Sequence, residues 1–421
     1  RILPSVSLIA PAYREEASIV ESVSSLLNLQ YPEYEVIVVN DGSTDATLSR
    51  LVSAFSLERA DVSYRIRIPT MPIRGIYMNP AIPRLVVVDK ENGGKADSLN
   101  AGINVSSKEY FCGIDADSIL EKDALLKIVS PMLDTDLEVV ASGGNIFPVN
   151  GCEVDRGSLN SIHIPKNHVA RIQMLEYIRS FMGGRIGWAY TGCLLIISGA
   201  FGVFAKQRVI EAGGYLTSKG GFRKDTVGED MELVVRLSRP MREKKLPHRI
   251  QYCFNANCWT EVPESLQILK HQRERWIRGL LDIMTYHIRM FFNPRYGRVG
   301  LIAFPYFMLF EVLGPWIELQ GLVIFASSIV LGLLDANILL LLLLAGILMG
   351  IFVSMQALLI VEKDISQFRL REIFILIAYA FAENFGPHHV LNFFRITGYR
   401  SALAQTRGWG EMKRKGFITR S

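Results

Sequence analysis

The stretch from Val299 to Val361 constrains the fold of this chain most, because its 63 residues contain no lysine or arginine. Its acidic residues are Glu311, Glu318 and Asp335. A soluble domain of this length would carry charges of both signs on its surface, so the stretch is not an ordinary soluble domain. The 26 residues from Ala336 to Val361 are uncharged. They exceed the roughly 20 residues that cross a bilayer and predict a transmembrane helix.

Three neighbouring segments are weaker candidates for membrane helices. Leu319 to Leu334 is a second, shorter candidate span, and Asp335 would lie in the turn that follows it. Val299 to Leu313 and Ile373 to Phe394 are ambiguous, because Gly-Pro pairs interrupt or follow them and ionisable residues lie within or beside them. Ile373 to Phe394 is either a single span or a re-entrant or interfacial hairpin. The number of spans therefore stays open.

Basic residues flank this apolar region on both sides. Seven lysines and arginines follow from Arg395 onward against one acid, and three arginines precede Val299. The positive-inside rule places both flanks in the cytosol. Glu264 to Phe292 has an apolar stripe beside basic residues, which fits either a helix packed on a core or one lying on a membrane surface. The adjacent apolar segments favour the membrane surface.

The first part of the chain alternates between apolar, β-branched runs and helical patterns. This alternation predicts an α/β fold with a mostly parallel sheet, whose ligands bind at the carboxyl ends of the strands. The predicted strands are Val6 to Ala10, Tyr34 to Asn40, Arg84 to Asp89, Tyr110 to Ile114 and Leu137 to Ser142. The predicted helices are Ser18 to Leu29, Thr44 to Phe55, Ala96 to Ile103 and Leu120 to Met132, with Ser18 and Thr44 as caps. Ile68 to Pro83, with four prolines, predicts an irregular loop.

Composition excludes several classes of protein. At 421 residues, 49% hydrophobic and 21% charged, the chain is neither disordered nor a single small domain. Its five scattered cysteines include no Cys-x-x-Cys pair, which argues against a disulfide scaffold and favours a reducing cytosolic face. The net charge of +5 is concentrated beside the apolar segments. It fits anionic lipid better than nucleic acid. The chain begins at Arg1, which leaves an upstream segment open.

Four polar clusters follow predicted strands or begin predicted helices, and each has a purely structural alternative. The turn at Asp41 to Asp45 can simply cap a helix. Lys95 follows two glycines at a helix start, where a phosphate would be favoured, but it can equally be a solvated loop lysine. Asp115 and Asp117 can hold a hard divalent cation that is bridged to a diphosphate, although Asp-x-Asp triplets are frequent by chance. The fourth cluster contains Glu229, Asp230 and Gln272 to Trp276.

Glu229 and Asp230 precede a helical pattern, and Gln272 to Trp276 lies further along the chain. Carboxylates at a helix start stabilise the helix without any ligand. Gln272 to Trp276 can be a salt-bridged helical turn with an aromatic side chain facing the core. Each cluster is therefore weak when it is considered alone.

Taken together and in this order, the four clusters closely resemble those of the family 2 glycosyltransferases. The resemblance is to the membrane-integrated branch with cellulose, chitin, hyaluronan and poly-N-acetylglucosamine synthases. It rests on Asp41, Asp115-Ala116-Asp117, Glu229-Asp230 and Gln-x-x-Arg-Trp at Gln272, Arg275 and Trp276. It covers about Val6 to Met284 and continues as a hydrophobic tail. The resemblance implies a GT-A fold. Arg14 and the long Ile68 to Pro83 loop depart from the family pattern.

The resemblance also implies a role for each motif residue. Asp230 would be the catalytic base, with Glu229 beside it, and Asp117 with Asp115 would hold Mg²⁺ or Mn²⁺. The nucleotide-binding residues would be Pro11, Tyr13, Glu15, Asp41, Lys95, Asp115, Gln272, Arg275 and Trp276. The acceptor would meet Ser198, Gly199, Ala200, Phe201, Gly202 and Trp276.

These roles imply an inverting, metal-dependent transfer from a nucleotide-sugar, with a UDP-sugar as the expected donor, to an acceptor hydroxyl at the bilayer. Either a β-linked polysaccharide is extended, or one sugar is added to a lipid-linked acceptor. An inactive nucleotide-binding subunit is the third alternative, and the intact carboxylate set argues against it. Regulation or export would depend on partner chains. The implied location is the plasma membrane of a bacterium or archaeon.

The corresponding domain prediction has four parts. Residues 1–262 form a cytosolic catalytic domain, and residues 263–298 form an amphipathic interface region. Residues 299–394 form transmembrane and interfacial helices, and residues 395–421 form a basic cytosolic tail.

Overall fold

The computed structural model of the chain describes residues 3–133, 137–218, 225–333, 335–360, 367–403 and 418–419. Its residues cluster into two compact units. The first unit contains Arg1–Pro165 and Arg185–Val262, together with the short strand at Ile418–Thr419. The second contains Lys166–Gly184 and the chain from Pro263 onward to Glu411.

The first unit is built on a mixed sheet. Within the described residues the sheet has ten strands, in the order β3-β4-β5-β2-β1-β6-β11-β8-β12-β7. A smaller sheet has the order β10-β9-β13. The strands are β1 Val6–Ala12, β2 Tyr34–Asp41, β3 Glu58–Ala60, β4 Ile73–Met78, β5 Leu85–Lys90, β6 Tyr110–Ile114, β7 Ser118–Leu120, β8 Glu138–Pro148, β9 Glu153–Asp155, β10 Ser158–Ser161, β11 Phe201–Ala205, β12 His248–Thr260 and β13 Ile418–Thr419.

The central strands β5, β2, β1 and β6 run parallel, as the apolar runs predicted. Parallel strands are buried on both faces and therefore read as nearly continuous runs of β-branched residues. Their carboxyl ends meet at one edge of the sheet. β11 runs antiparallel to β6 with Phe201 opposite Ile114, so the start of β11 lies at that same edge. The edge is where a sheet of this kind binds its ligands.

The helices of the first unit cover this sheet. They are α1 Ile19–Leu27, α2 Thr47–Phe55, α3 Lys95–Val105, α4 Ala124–Leu133, α6 Arg185–Tyr190, α7 Lys206–Glu211 and α8 Glu229–Glu243. Leu8, Ile9 and Ile37 lie in the sheet with no exposed surface, which shows that the core surrounds its central strands.

Three local predictions were wrong. Thr44 does not cap α2, because the helix begins at Thr47 and the Asp45 carboxylate accepts the Thr47 amide instead. The helix predicted from Leu120 begins at Ala124, since the residues before it form β7. The predicted loop Ile68 to Pro83 contains β4, which pairs with β5 and β3. Ser18 does occupy the position before α1, but its hydroxyl donates to Glu15 and not to the helix.

The second unit is helical. Its α-helices are α5 His168–Tyr177, α9 Leu266–Tyr286, α10 Phe304–Tyr306, α11 Gly314–Val330, α12 Ala336–Ile360, α13 Leu370–Ala382 and α14 Pro387–Leu403. In the described part of this unit, three π-helical segments lie at Ile178–Gly184, Val299–Ala303 and Phe307–Val312. Short 3₁₀ segments lie at Ile288–Met290, Pro294–Tyr296 and Glu383–Phe385.

One helix among the described residues, Asn337–Ile360, is long and apolar enough to cross a bilayer. The pair Val299–Val312 and Gly314–Val330 would count as a second if its 47° bend lies within one span. Asp335 accepts the Asn337 amide at 2.8 Å and so starts the long helix, as a turn residue should. Leu334 and Val361, the ends of two predicted spans, and the tail from 404 to 417 lie outside the described residues.

Two acidic residues of the second unit, Glu383 and Glu318, have partners within that unit. The Glu383 carboxylate is 5% exposed and lies 2.5 Å from the Arg179 guanidinium. It also accepts the hydroxyl of Ser354, which belongs to the long apolar helix, at 2.7 Å. Glu318 pairs with His389 at 2.8 Å. These two carboxylates are therefore turned toward other protein groups.

Candidate active site

Five segments of the first unit converge at the carboxyl edge of the sheet. The segments that follow β1, β2, β5 and β6 arrive there because those four strands are parallel. The segment before β11 arrives because that strand is antiparallel to β6. Every sequence-predicted site residue up to Gly202 lies on these segments or directly beside them.

The loop after β1 is hydrogen-bonded to the loop after β2 and to the start of α2. The Arg14 amide donates to the Ser43 hydroxyl at 3.1 Å, and the Glu15 amide donates to the Thr47 hydroxyl at 2.9 Å. Arg14 has a φ of 56°, a left-handed conformation that is uncommon outside glycine. Glu15 is buried, whereas Tyr13 is 46% exposed, and Pro11 lies within β1. This loop therefore offers an aromatic ring to solvent at the predicted nucleotide position.

Asp41 ends β2 and is buried against the loop that follows β5. Its carboxylate accepts the amides of Gly93 at 2.9 Å and Gly94 at 2.8 Å, and it lies 2.6 Å from the Lys90 ammonium. Asp41 thus holds the glycine turn that starts α3. Whether it also contacts a base stays a prediction.

Lys95, the first residue of α3, connects the acidic groups of the site. Its ammonium lies 2.5 Å from Asp115 and 3.5 Å from Glu229, and it donates to the Gly199 carbonyl at 3.3 Å. Burial alone would lower the pKa of Lys95, but the carboxylates of Asp115 and Glu229 outweigh it and hold that pKa above its ordinary value. The amine is therefore a fixed positive charge at neutral pH.

Asp230 lies in the first turn of α8 and faces the segment before β11. The Gly199 amide donates to its Oδ2 at 3.0 Å, and the Met231 amide donates to its Oδ1 at 2.8 Å. A Cβ on Gly199 would lie 3.2 Å from Oδ2, which is tighter than ordinary contact. Gly199 therefore lets the backbone approach the carboxylate closely.

The other predicted acceptor residues belong to the same segment. The Ser198 hydroxyl accepts the Ala200 amide at 3.3 Å, and the Ser198 carbonyl accepts the Phe201 amide. Phe201 and Gly202 begin β11 and are buried. The turn at Ser198 thus delivers Gly199 to Asp230 directly before the strand starts.

Asp115 and Asp117 directly follow β6. Asp115 is partly exposed and paired with Lys95, whereas Asp117 is 1% exposed. Among the described residues there is no group of three or more histidine, cysteine or acidic side chains that could hold a metal ion alone. Two carboxylates nevertheless fit Mg²⁺ or Mn²⁺ when phosphate oxygens and water complete the coordination.

The site as a whole is acidic. Asp115 and Asp117 follow β6, Glu229 and Asp230 lie at the start of α8, and the Lys95 ammonium contacts Asp115 and Glu229. An anionic diphosphate would be repelled by such a group unless it arrived with additional positive charge. The acidity of the site therefore favours a ligand that is neutralised by a divalent cation.

The Gln-x-x-Arg-Trp motif lies on α9 in the second unit. Gln272 is buried, Arg275 is half-buried and Trp276 is 37% exposed. The Trp276 ring stacks on Tyr177 of α5 with 6.4 Å between ring centroids. Burial, more than the opposing effects of Arg273, Gln272 and Arg275, raises the pKa of Tyr177 to about 12. The motif therefore packs against a neutral aromatic helix face within its own unit.

Sequence reasoning missed two cations that organise these motifs. Lys90 is fully buried between Asp41 and Asp97. Arg273, inside the Gln-x-x-Arg-Trp motif, is 3% exposed, lies 2.6 Å from Glu176 and stacks over the Trp276 ring at 4.2 Å. A usable signal for Lys90 was its position at the end of a continuous apolar strand. No comparable signal links Arg273 to Glu176, which is 97 residues away.

Comparison with known proteins gives a consistent result. A family model described as glycosyl transferase family group 2 matches residues 110–353, and one described as glycosyl transferase family 2 matches residues 7–68. The first match alone covers more than half of the chain.

Curated relatives include the poly-beta-1,6-N-acetyl-D-glucosamine synthases of two staphylococci. The protein of Staphylococcus aureus strain COL is 28% identical over 311 residues, covering 73% of this chain and 61% of the relative. That of Staphylococcus epidermidis is 26% identical over 280 residues, covering 66% and 55%. The chain thus matches about three fifths of the length of these relatives.

A solved structure with a similar fold is a mannosyltransferase from Pyrobaculum calidifontis, in complex with GDP-Man and Mn²⁺. It has a TM-score of 0.54 and 16% sequence identity, and the superposition covers 96% of this chain and 89% of that one. At this identity the likeness concerns the fold, and it agrees with the GT-A architecture of the first unit.

Proposed function

The chain belongs to glycosyl transferase family group 2, and we propose that it transfers a sugar from a UDP-sugar to an acceptor hydroxyl at the membrane with inversion. We further propose that the acceptor is a growing β-linked polysaccharide. The observation that carries the proposal is the contact of Lys95 with Asp115, Glu229 and the Gly199 carbonyl, because Gly199 also donates to Asp230. A base, a cation and a candidate metal ligand are thereby linked through direct contacts.

In the proposed reaction, the acceptor oxygen forms a bond to the anomeric carbon while the bond from that carbon to the diphosphate oxygen breaks. The electron pair of the broken bond leaves with the nucleoside diphosphate. Asp230 accepts the proton of the acceptor hydroxyl, which is a poor nucleophile until that proton is removed. One base and no covalent carboxylate give inversion, so an α-linked donor yields a β-linked product.

The remaining groups of the site bind and orient. The Gly199 amide donates to one carboxylate oxygen of Asp230 and the Met231 amide donates to the other. Together these two hydrogen bonds orient the carboxylate. Lys95 supplies a fixed positive charge beside Asp115. A divalent cation held by Asp115 and Asp117 would supply further charge to stabilise the leaving diphosphate. We propose donor or acceptor roles for Gln272, Arg275 and Trp276 as well.

The membrane location is also part of the proposal. The helix Asn337–Ile360 meets the length and composition that a span requires, and most of its side chains are not covered by protein. We propose that lipid covers it, with the catalytic unit in the cytosol. The staphylococcal relatives, by their names polysaccharide synthases, support the choice of product.

The test is a donor screen with the full chain in membranes, measuring release of UDP or GDP with and without EDTA. We expect UDP release that depends on one UDP-sugar and falls on chelation. No nucleotide release with any donor would contradict transferase activity. Undiminished release in EDTA would contradict the proposed requirement for a divalent cation.

Addition of one sugar to a lipid-linked acceptor is the alternative. The small number of candidate spans favours it. Among the described residues, one helix is long and apolar enough to cross a bilayer, and the bent pair would be a second. Sizing of the product from a labelled donor separates the two reactions. A ladder or long polymer supports the synthase, whereas a single added sugar supports the alternative.

A further inference from the structure

Lys90, the last residue of β5, is completely buried although lysine is rarely buried without partners. Its ammonium lies 2.6 Å from Asp41 Oδ1 and 2.7 Å from Asp97 Oδ1, and it donates to the Glu91 carbonyl at 2.7 Å. The ammonium therefore has two hydrogen-bond acceptors and a second carboxylate within ion-pair distance. A lysine with no exposed surface cannot itself touch a substrate.

The Asp41 carboxylate is fully engaged by the chain. Besides Lys90, it accepts the Gly93 amide, the Gly94 amide and, at 3.2 Å, the Asn92 side-chain amide. A carboxylate has about four acceptor positions, and here four donors occupy them. Asp41 thus fixes the path of Asn92 to Gly94.

Asp97 fastens the other side of the same loop. Its two oxygens accept the Met71 amide, each at 3.1 Å. A Cβ on Gly93 would lie 2.6 Å from Asp97 Oδ1 and 2.8 Å from Met71 Cγ, so a larger residue does not fit without movement. The glycine loop is therefore packed between the two carboxylates that Lys90 joins.

This loop determines where Lys95 lies. Gly94 has a φ of 86° and directly precedes α3, whose first residue is Lys95. The ammonium of Lys95 then reaches Asp115 at 2.5 Å. A displacement of the loop would move the start of the helix and with it the cation of the site.

We propose that Lys90 is a positioning residue for donor binding: by joining Asp41 to Asp97 it holds the glycine loop, and through the loop Lys95, in the geometry that binds the nucleoside diphosphate. The inference rests on the proposed function in taking a nucleotide as the ligand. Lys90 acts only through other residues, so its effect falls on binding more than on the chemical step.

The test measures the Kd of UDP by calorimetry, and KM and kcat with the donor that the screen identifies, using the full chain. Lys90→Met keeps the length of the side chain and removes its charge. We expect at least a tenfold rise of Kd and KM with kcat changed much less, because small displacements of binding groups are costly. The control is Lys206→Met, since Lys206 bonds to the Ser106 carbonyl at the far end of α3. A folded Lys90→Met protein with the wild-type Kd would overturn the proposal.

A second variant separates positioning from charge balance. Lys90→Met/Asp97→Asn has the same net charge as the native cluster, so it should regain thermal stability while its Kd for UDP stays raised. A return of the wild-type Kd would show that Lys90 only neutralises Asp97.

The wild-type protein provides a test that needs neither folded variants nor activity. With no nucleotide added, the amides of Gly93 and Gly94 should be protected from hydrogen exchange, because Asp41 accepts both. Rapid exchange would overturn the proposal. Absence of nucleotide binding by wild-type protein with these amides protected would instead contradict the proposed function.

Discussion

The Gly199 amide donates a hydrogen bond of 3.0 Å to the Asp230 carboxylate, and so joins the start of β11 to the start of α8. The Gly199 carbonyl accepts from Lys95. One peptide segment therefore contacts the proposed base through its amide and the site's cation through its carbonyl. Asp230 is consequently fixed relative to Lys95 before any substrate arrives, which is the preorganisation that catalysis requires.

Asp230→Asn should abolish most transfer while nucleotide binding remains. The amide keeps a similar shape but cannot accept a proton from the acceptor hydroxyl, so we expect kcat to fall by about 10² to 10⁴. The Kd of UDP should stay within a fewfold of wild type. Steady-state kinetics and calorimetry on the same preparation measure both quantities. The control is Asp155→Asn, since Asp155 is exposed and its substitution should leave kcat unchanged. A kcat near wild type in Asp230→Asn would show that Asp230 is not the base.

Gly199→Ala should lower kcat without removing the base. The added Cβ would lie 3.2 Å from Asp230 Oδ2 and 3.4 Å from its Cβ, so the carboxylate must shift by a few tenths of an ångström. A misplacement of about 1 Å can cost about a hundredfold, so for this smaller shift we expect kcat to fall by up to about tenfold. The matched control is Gly187→Ala, where an added Cβ meets no neighbouring atom within 4 Å. Equal kcat values for the two variants would show that the close approach at Gly199 is irrelevant.

The parallel core of the sheet was predictable from sequence because buried parallel strands leave a direct signal. β1, β2, β5 and β6 are apolar, β-branched runs, and the polar residues that follow them gather at one edge. The strands β3 and β4 left no such signal. β3 has three residues, two of them exposed, and β4 lies in a proline-rich segment, so pairing with β5 decided their structure.

The contacts within the site were less predictable than its residues. Strand ends indicated Asp41 and Asp115, but Lys90 resembles a solvated lysine until Asp41, 49 residues earlier, closes over it. Likewise, the sequence did not indicate that Lys166–Gly184 belongs to the second unit. Its association there depends on contacts such as Arg179 with Glu383, which are 204 residues apart. Long-range pairing of this kind has no local pattern.

Nucleotide affinity should be insensitive to the titration of Lys95 at ordinary pH. Burial lowers its pKa, but Asp115 and Glu229 raise it further, to above the ordinary 10.5. Lys95 therefore stays protonated in the folded protein up to about pH 9.5, and its charge beside the nucleotide does not change over that range. The Kd of UDP should therefore show no lysine titration between about pH 7 and pH 9.5. A Lys95-dependent midpoint in that range, absent in Lys95→Met, would contradict the assignment of a fixed charge.

The membrane proposal predicts that a charge in the middle of α12 is costly. Leu348 lies at the middle of this helix and is 62% exposed to the surroundings of the protein, so Leu348→Arg should cost about 2.5 to 3.5 kcal/mol for insertion at the centre of a span. The fraction of full chain that resists alkaline carbonate extraction should fall for Leu348→Arg, whereas Leu348→Phe should extract like wild type. Equal extraction of the two variants would indicate that lipid does not cover this helix.

Arg273, which lies within the Gln-x-x-Arg-Trp motif, should contribute to the stability of the second unit. Its guanidinium is 3% exposed, pairs with Glu176 and covers the Trp276 ring, so Arg273→Met leaves a largely buried carboxylate without its cation. Removal of one partner from a buried pair costs about 3 to 5 kcal/mol, and the partial exposure of Glu176 places the expected loss near the lower value.

The control on the same helix is Lys270→Met, since Lys270 is 41% exposed and lies 3.8 Å from Glu274. Its loss should change stability by less than about 1 kcal/mol. Thermal unfolding in detergent compares the two variants, and similar melting temperatures would mean that Arg273 does not hold α9 against α5.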